Sequence, residues 1–166
     1  AQDYIAGFPP HPHRGFETVT STIDGRTRHR DNQGNQGDLG PGSVQWMTAA
    51  RGIVHEEMPQ QENGMLWGYQ LWINLPAAMK MGTPGYQDID AERIPDVRLD
   101  SGVRVRVIAG RFEDTVGPVA DRPTEPHYLD VQLPKGTRFV WTSPLGHTAF
   151  VQGVSGLTQV GSQNRA

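Results

Sequence analysis

A chain of 166 residues is long enough for one domain or two small ones, and its formal charge of −3 offers neither a basic face for nucleic acid nor a polybasic membrane anchor. It has no cysteine, which excludes disulfides, thiolate metal sites and cysteine nucleophiles, so any metal must be held by His, Asp, Glu or water. No apolar run approaches the roughly 20 residues of a membrane span, and the opening AQDYIAGFPP lacks the basic and apolar regions of a signal peptide, which reads as a cytoplasmic protein.

Twenty glycines and thirteen prolines argue for many turns and few long helices. HPHRGFE, residues 11–17, places two of the six histidines one residue apart. Pro12 fixes its own φ and biases His11 toward extended backbone, as at a sheet edge or strand start. Residues 15–23, GFETVTSTI, are rich in β-branched and aromatic residues and read as a strand. The DG at 24–25 turns the chain into a short polar strand, RTRHRD. Residues 32–43, with four glycines and a proline, read as turns and loop, followed by the short strands VQWMTA and GIVHEEM. The most apolar stretch, LWGYQLWINL at 66–75, reads as a buried strand closed by Pro76.

Residues 76–97 mix Pro, Gly and charge, and read as a linker with one helical turn at DIDAERI. Strands then resume. VRVRVIAG at 103–110 alternates, which predicts one buried and one wet face. Residues 127–141 predict two strands joined at PKG, and 147–154 another. Many short strands at regular spacing predict an all-β protein of two small antiparallel barrels. The expected division is a domain over 1–83, a linker over 84–97, and a second, incomplete domain over 98–166.

Residues two apart on a strand share a face. His11 and His13 therefore point the same way, and so do His55 and Glu57 in GIVHEEM. Two such pairs on different strands of one small barrel can converge as three imidazoles and a carboxylate. That donor set suits one transition-metal ion (Fe, Mn, Co, Ni, Cu or Zn) and does not suit Ca or Mg. Glu17 shares the odd-numbered face if the strand stays regular, so it competes with Glu57 as fourth ligand; a bulge at Gly15 would turn it away. His29, among Arg26, Arg28, Arg30 and Asp31, reads as solvated. His127 and His147 have no spaced partner of ligand type. Phe16, Trp46, Met47 and Trp72 are candidates for an apolar pocket wall, and Trp67 for wall or core. No motif supports a nucleophilic hydrolase or a nucleotide site.

FPPHPHRGFETVT (8–20), LGPGSVQWMTAARGIVHEEMP (39–59) and LWGYQLWINLPAAMKM (66–81) together resemble the pirin family of the cupin superfamily. The likeness runs from about residue 4 to 160 and is densest before residue 85. It implies a bicupin fold of two jelly-roll-like barrels with one metal in the first, most often iron as Fe(II). The family's ligand motifs fall on His11, His13, His55 and Glu57, with Glu17 in reserve because HPHRGFE also fits the general cupin H-x-H-x3-E pattern. Pirins usually carry Gly at the position of Ala50, and often an acidic residue at that of Pro10. They also carry more sequence at both ends. The resemblance implies two functions. One is a quercetin 2,3-dioxygenase, which opens a flavonol ring with dioxygen while Glu57 takes the 3-hydroxyl proton. The other is a non-catalytic iron-binding redox regulator with a protein partner.

Overall fold

The computed structural model describes residues 6–60, 64–161 and 163–165, and over them the chain is all-β, with two 3-10 turns and no α-helix. No helix there is long and apolar enough to cross a membrane. Residues 1–5, part of the stretch read for a signal peptide, lie outside the described residues.

Two four-stranded antiparallel sheets make the first barrel. One has the order β1 (Phe8–His13), β6 (Ile53–Pro59), β3 (Thr27–Asp31), β4 (Gln36–Leu39). The other has the order β7 (Trp67–Asn74), β2 (Phe16–Asp24), β5 (Val44–Thr48), β8 (Gly85–Ile89). Pro12 sits on β1, an edge strand, where a missing N–H costs no ladder bond. Gly15, at φ +82°, makes the corner between β1 and β2, so the chain changes sheets between His13 and Phe16. The loop expected over 32–43 contains a strand, β4. Gly37 permits it, because a Cβ there would overlap the carboxylate of Asp88 on the facing sheet.

The register of the second sheet separates its two faces. Directly paired residues share a face, so Trp72, Thr18, Met47 and Tyr86 form one row, and Gln70, Thr20, Gln45 and Asp88 the next. These rows look into the barrel and are largely polar. The opposite face carries Leu71, Ile73, Val19, Val44, Trp46 and Ile89 and is apolar. It packs on Ile94, Ile108, Ala109, Val119 and Tyr128 of the second module. Both faces of β5 are thus covered, one by a polar interior and one by an apolar interface.

The second module has a three-stranded sheet, β13 (Tyr128–Gln132), β10 (Arg104–Ala109), β9 (Asp96–Arg98), and the small hairpins β11–β12 (Arg111–Phe112, Thr115–Val116) and β14–β15 (Thr158–Val160, Gln163–Arg165). Its own core gathers Val103, Val105, Val107 and Phe112 under Leu129, Val131, Phe139 and Trp141.

Several sequence expectations need correction. The expected linker holds β8, hydrogen-bonded along β5, and its turn is a 3-10 turn at Ala91–Arg93. The strand at 67–74 is present, but it is a sheet edge with alternating rather than continuous burial. The wet face of β10 is half-buried, because Arg106 Nη2 donates 2.6 Å to the carbonyl of Gly42 across the two modules. Residues 133–157 contain no strand, and the expected strands at 137–141 and 147–154 are irregular. Val140, Leu145, Phe150 and Val151 are exposed there, so the β-propensity of that stretch finds no paired neighbour.

Candidate metal centre

Antiparallel pairing of β1 and β6 sets His11 opposite His55 and His13 opposite Ile53. The three imidazoles meet on the inner side of this sheet, and their donor nitrogens all lie within 4.8 Å of one another. Ring centroids are 4.4 Å apart for His11–His55 and 4.8 Å for His13–His55. The His11 ring is oriented by its Nδ1–H, which donates 2.8 Å to the carbonyl of Pro9 and leaves Nε2 as a lone pair facing the group. That Nε2 is 3.0 Å from Nε2 of His13. Two nitrogens each about 2.1 Å from one ion and at right angles to each other would be spaced by about 3 Å.

Electrostatics favour free lone pairs. Burial, then the neighbouring His11, pushes the pKa of His13 down. Burial, then the charges His29, His11 and His13 would carry, pushes His55 down to about 3. Both rings are therefore neutral at physiological pH, the form a metal requires. Nε2 of His55 is buried and has no hydrogen-bond partner. An orphaned, unprotonated imidazole nitrogen grouped with two others fits a transition-metal ion, the class of ion expected from the sequence.

The two glutamates part company. Glu57 is buried on the inner face, beside but not within the three-histidine group among the described residues. Its Oε1 accepts from Thr20 Oγ1 at 3.2 Å, and Gln70 Nε2 donates to Oε1 at 3.2 Å and Oε2 at 3.0 Å. Glu17 follows the corner at Gly15 onto the outer face of β2, away from the histidines. It accepts from Thr48 Oγ1 at 2.6 Å and lies 3.9 Å from Arg122 of the second module. The regular-strand argument that joined Glu17 to His11 and His13 fails because β1 and β2 belong to different sheets.

His29, expected in solvent, is fully buried. Its Nδ1 is 3.2 Å from Nδ1 of His55, its Nε2 is 3.4 Å from Asp31 Oδ2, and its ring lies 4.7 Å from that of Tyr86. A signal for this was present: in TRHRD the arginines occupy alternate positions, and a strand with Arg28 and Arg30 outward must turn Thr27, His29 and Asp31 inward.

Beside the histidines stands an aromatic pair. Phe16 and Trp72 stack at 4.6 Å and 25°, and both meet the edge of His13, at 5.1 and 5.3 Å. Trp72 is 59% exposed. Its Nε1 donates 2.8 Å to Gln70 Oε1, so Gln70 ties the exposed ring to Glu57. Met47 faces the interior, but Trp46 does not line this site. It lies in the interface core under the Arg122 guanidinium. Trp67 is half-exposed at the start of β7. A surface cavity of about 440 Å³ lies elsewhere, on the second module, beside Arg111, Arg122 and His127. The rings of His127 and His147 come within 5.9 Å, but no third donor joins them among the described residues.

The pirin family model matches residues 1–73. A protein of Pseudomonas aeruginosa named "Putative quercetin 2,3-dioxygenase" is 56% identical, over 87% of this chain and 52% of its own length. One of Thermoplasma acidophilum with the same name is 38% identical, over 95% of this chain and 67% of its own. A crystal structure of quercetin 2,3-dioxygenase from Acinetobacter baumannii superposes with a TM-score of 0.74 at 43% identity, over 79% of this chain and 47% of that one. The chain thus spans about half the length of several of the relatives it matches. With the ordered motifs, the all-β architecture and this breadth of similarity, the chain belongs to the pirin family of bicupin proteins.

Proposed function

We propose that this protein is a metal-dependent dioxygenase of the quercetin 2,3-dioxygenase type, acting on a flavonol-like substrate. The observation that carries this reading is a three-imidazole site with an orphaned Nε2, set against a half-buried Phe16 stacked on an exposed Trp72. A flat aromatic face at the edge of a metal site suits a planar polyphenol, which stacks offset on such rings. The names of the relatives and of the Acinetobacter structure support the same substrate class.

His11, His13 and His55 would hold the ion, with Glu57 as fourth ligand after a side-chain turn away from Gln70. Iron, as Fe(II), is the metal we propose, and the donor set also accepts Zn, Mn, Co, Ni or Cu. When bound, the ion would supply Lewis acidity that lowers the pKa of a coordinated phenol and positions open to dioxygen. Phe16 and Trp72 orient the substrate plane. Glu57, a carboxylate in reach of Gln70 and Thr20, accepts the 3-hydroxyl proton on one of its oxygens. Gln70 bonds to both Trp72 and Glu57 while Glu57 is turned off the ion, so it links the platform to the base.

The test is metal analysis of freshly purified protein, then a quercetin bleaching assay under defined iron loading and oxygen. Stoichiometric metal with oxygen-dependent bleaching supports the enzyme. Stoichiometric iron without turnover replaces it with the redox-regulator reading, and failure to bind any transition metal removes both.

A further inference from the structure

Behind His55, away from the other two histidines, lies a second pair of buried polar side chains that the proposed chemistry does not use. Asp31 has no exposed side-chain surface and neither does His29. Burying a carboxylate and an imidazole together costs more than packing apolar residues of the same volume. Their arrangement therefore calls for a reason beyond stability.

Asp31 is held from three directions. The backbone N–H groups of Gln33 and Asn35 donate to its Oδ1 at 2.9 Å each, and Asn35 Nδ2 donates to Oδ2 at 2.8 Å. Burial by itself would raise its pKa, but these bonds and the one from His29 outweigh burial and keep it lowered. Asp31 is thus an ionised carboxylate, and it can only accept. Its neighbour at 3.4 Å, Nε2 of His29, must then carry a proton. A second proton, on Nδ1 of His29, would drive the His55 proton onto its Nε2, which is buried with no hydrogen-bond partner, so Nδ1 of His29 is left as a lone pair. That lone pair faces Nδ1 of His55 at 3.2 Å, so Nδ1 of His55 must carry the proton between them. A neutral His55 with its proton on Nδ1 has a bare Nε2, which is the orphaned atom aimed at His11 and His13.

We propose that Asp31 and His29 are positioning residues, a carboxylate–imidazole relay that locks His55 in its Nδ1–H tautomer and presents its Nε2 as a ready-made metal donor. The inference rests on the reading of the three histidines as a metal site. The relay is braced from the facing sheet. The His29 ring lies against Tyr86, whose hydroxyl donates 2.6 Å to Asp88 and accepts 2.9 Å from Gln45 Nε2, so the imidazole cannot swing. A carboxylate at the far end also raises the basicity of the ligating nitrogen, as such partners do in metal sites generally. His11 reaches the same tautomer by a simpler route, its Nδ1–H on the Pro9 carbonyl. Two of the three donors are thus pre-oriented, one by backbone and one by a two-residue relay.

Two measurements test this. The first needs no metal: ¹⁵N NMR of the imidazoles in metal-free protein at neutral pH, with His55 assigned by comparison with His55→Gln. The relay requires a protonated, pyrrole-like Nδ1 and a bare, pyridine-like Nε2 for His55. A protonated Nε2 overturns it. The second is Co(II) affinity for His29→Phe and His29→Gln. Phe keeps the ring volume but neither bonding atom. Gln restores one acceptor and one donor, and so can pass the same pattern from Asp31 to His55. The expected result is affinity lowered about 10–100-fold in His29→Phe and largely rescued in His29→Gln. Equal losses in both variants, or none in either, overturn the relay. Wild type that binds no Co(II) sinks the metal reading instead, and the NMR result then still decides the tautomer.

Discussion

The two faces of the sheet β7–β2–β5–β8 are built from alternate residues of the same four strands, and they do opposite work. The inner face, with Thr18, Thr20, Gln45, Gln70 and Tyr86, is polar and hydrogen-bonded and looks at the histidines. The outer face, with Val19, Val44, Trp46 and Ile89, is apolar and welds the barrel to the second module. Each face buries one glutamate on its side. Glu57 reaches from the opposite sheet to Thr20 and Gln70, while Glu17 points outward to Thr48 and Arg122. The side of the sheet that each carboxylate meets therefore separates one lying beside the histidines from one committed to an interface. Burial alone would not distinguish them, since both are buried.

This contrast can be broken from either side. The largest effect should come from the inner site. His11→Ala/His13→Ala removes two of three imidazoles, and metal content after dialysis should fall to background. The affinity loss should exceed the roughly 10–100-fold typical of removing an outer-shell partner. Stoichiometric metal in the double variant would refute the site.

The glutamates come next. Glu57→Gln should retain part of the metal through the histidines but lose about 10²–10⁴-fold in flavonol turnover, the usual worth of a general base. Glu17→Gln should leave both metal content and turnover close to wild type, because its carboxylate faces the other module. A dead Glu17→Gln beside a normal Glu57→Gln would reverse the assignment.

The outer face should answer in stability and leave chemistry alone. Trp46→Ala empties a fully buried position in the interface core and should cost about 3–5 kcal/mol by urea denaturation. Its metal affinity at low temperature should hold. If affinity collapses with Trp46→Ala, the two faces are coupled more tightly than their contacts suggest.

The smallest effect lies at the corner where β5 leaves for β6. Ala50 has φ +45°, in the left-handed region, and its carbonyl accepts from Gly15 N–H at 2.8 Å. Ala50→Gly exchanges roughly 1–2 kcal/mol of left-handed strain for glycine's larger chain entropy. The expected outcome is a small gain, about 0.5 kcal/mol, seen as a higher urea midpoint. A loss would show that the corner is not strained.

Much of this was legible from residues alone because strand geometry is simple. His-Pro-His must share a face in extended backbone, and so must His55 and Glu57. The cysteine-free composition narrowed the donors to imidazole and carboxylate. His29 was legible too, from the alternating arginines of TRHRD, but the local abundance of charge masked the pattern. Glu17 was not legible. Its side depends on a turn at Gly15 that moves the chain between sheets, and HPHRGFE reads as one strand without it. The strands expected at 137–141 and 147–154 failed for a related reason. Alternation and β-branched residues mark what a segment could pair with, not whether a partner stands beside it.

By itself, then, the order of residues determined the strand class of the chain and the pairing of candidate donors at spacing two, because side-chain direction in a strand is a local property of the backbone. Tertiary structure alone decided that β1 lies against β6 so that three imidazoles meet, that Glu57 and Glu17 fall on opposite sides of one sheet, and that Asp31 and His29 stand behind His55. Those are contacts between strands far apart in the chain, set by which faces must be buried together, and no local spacing encodes them.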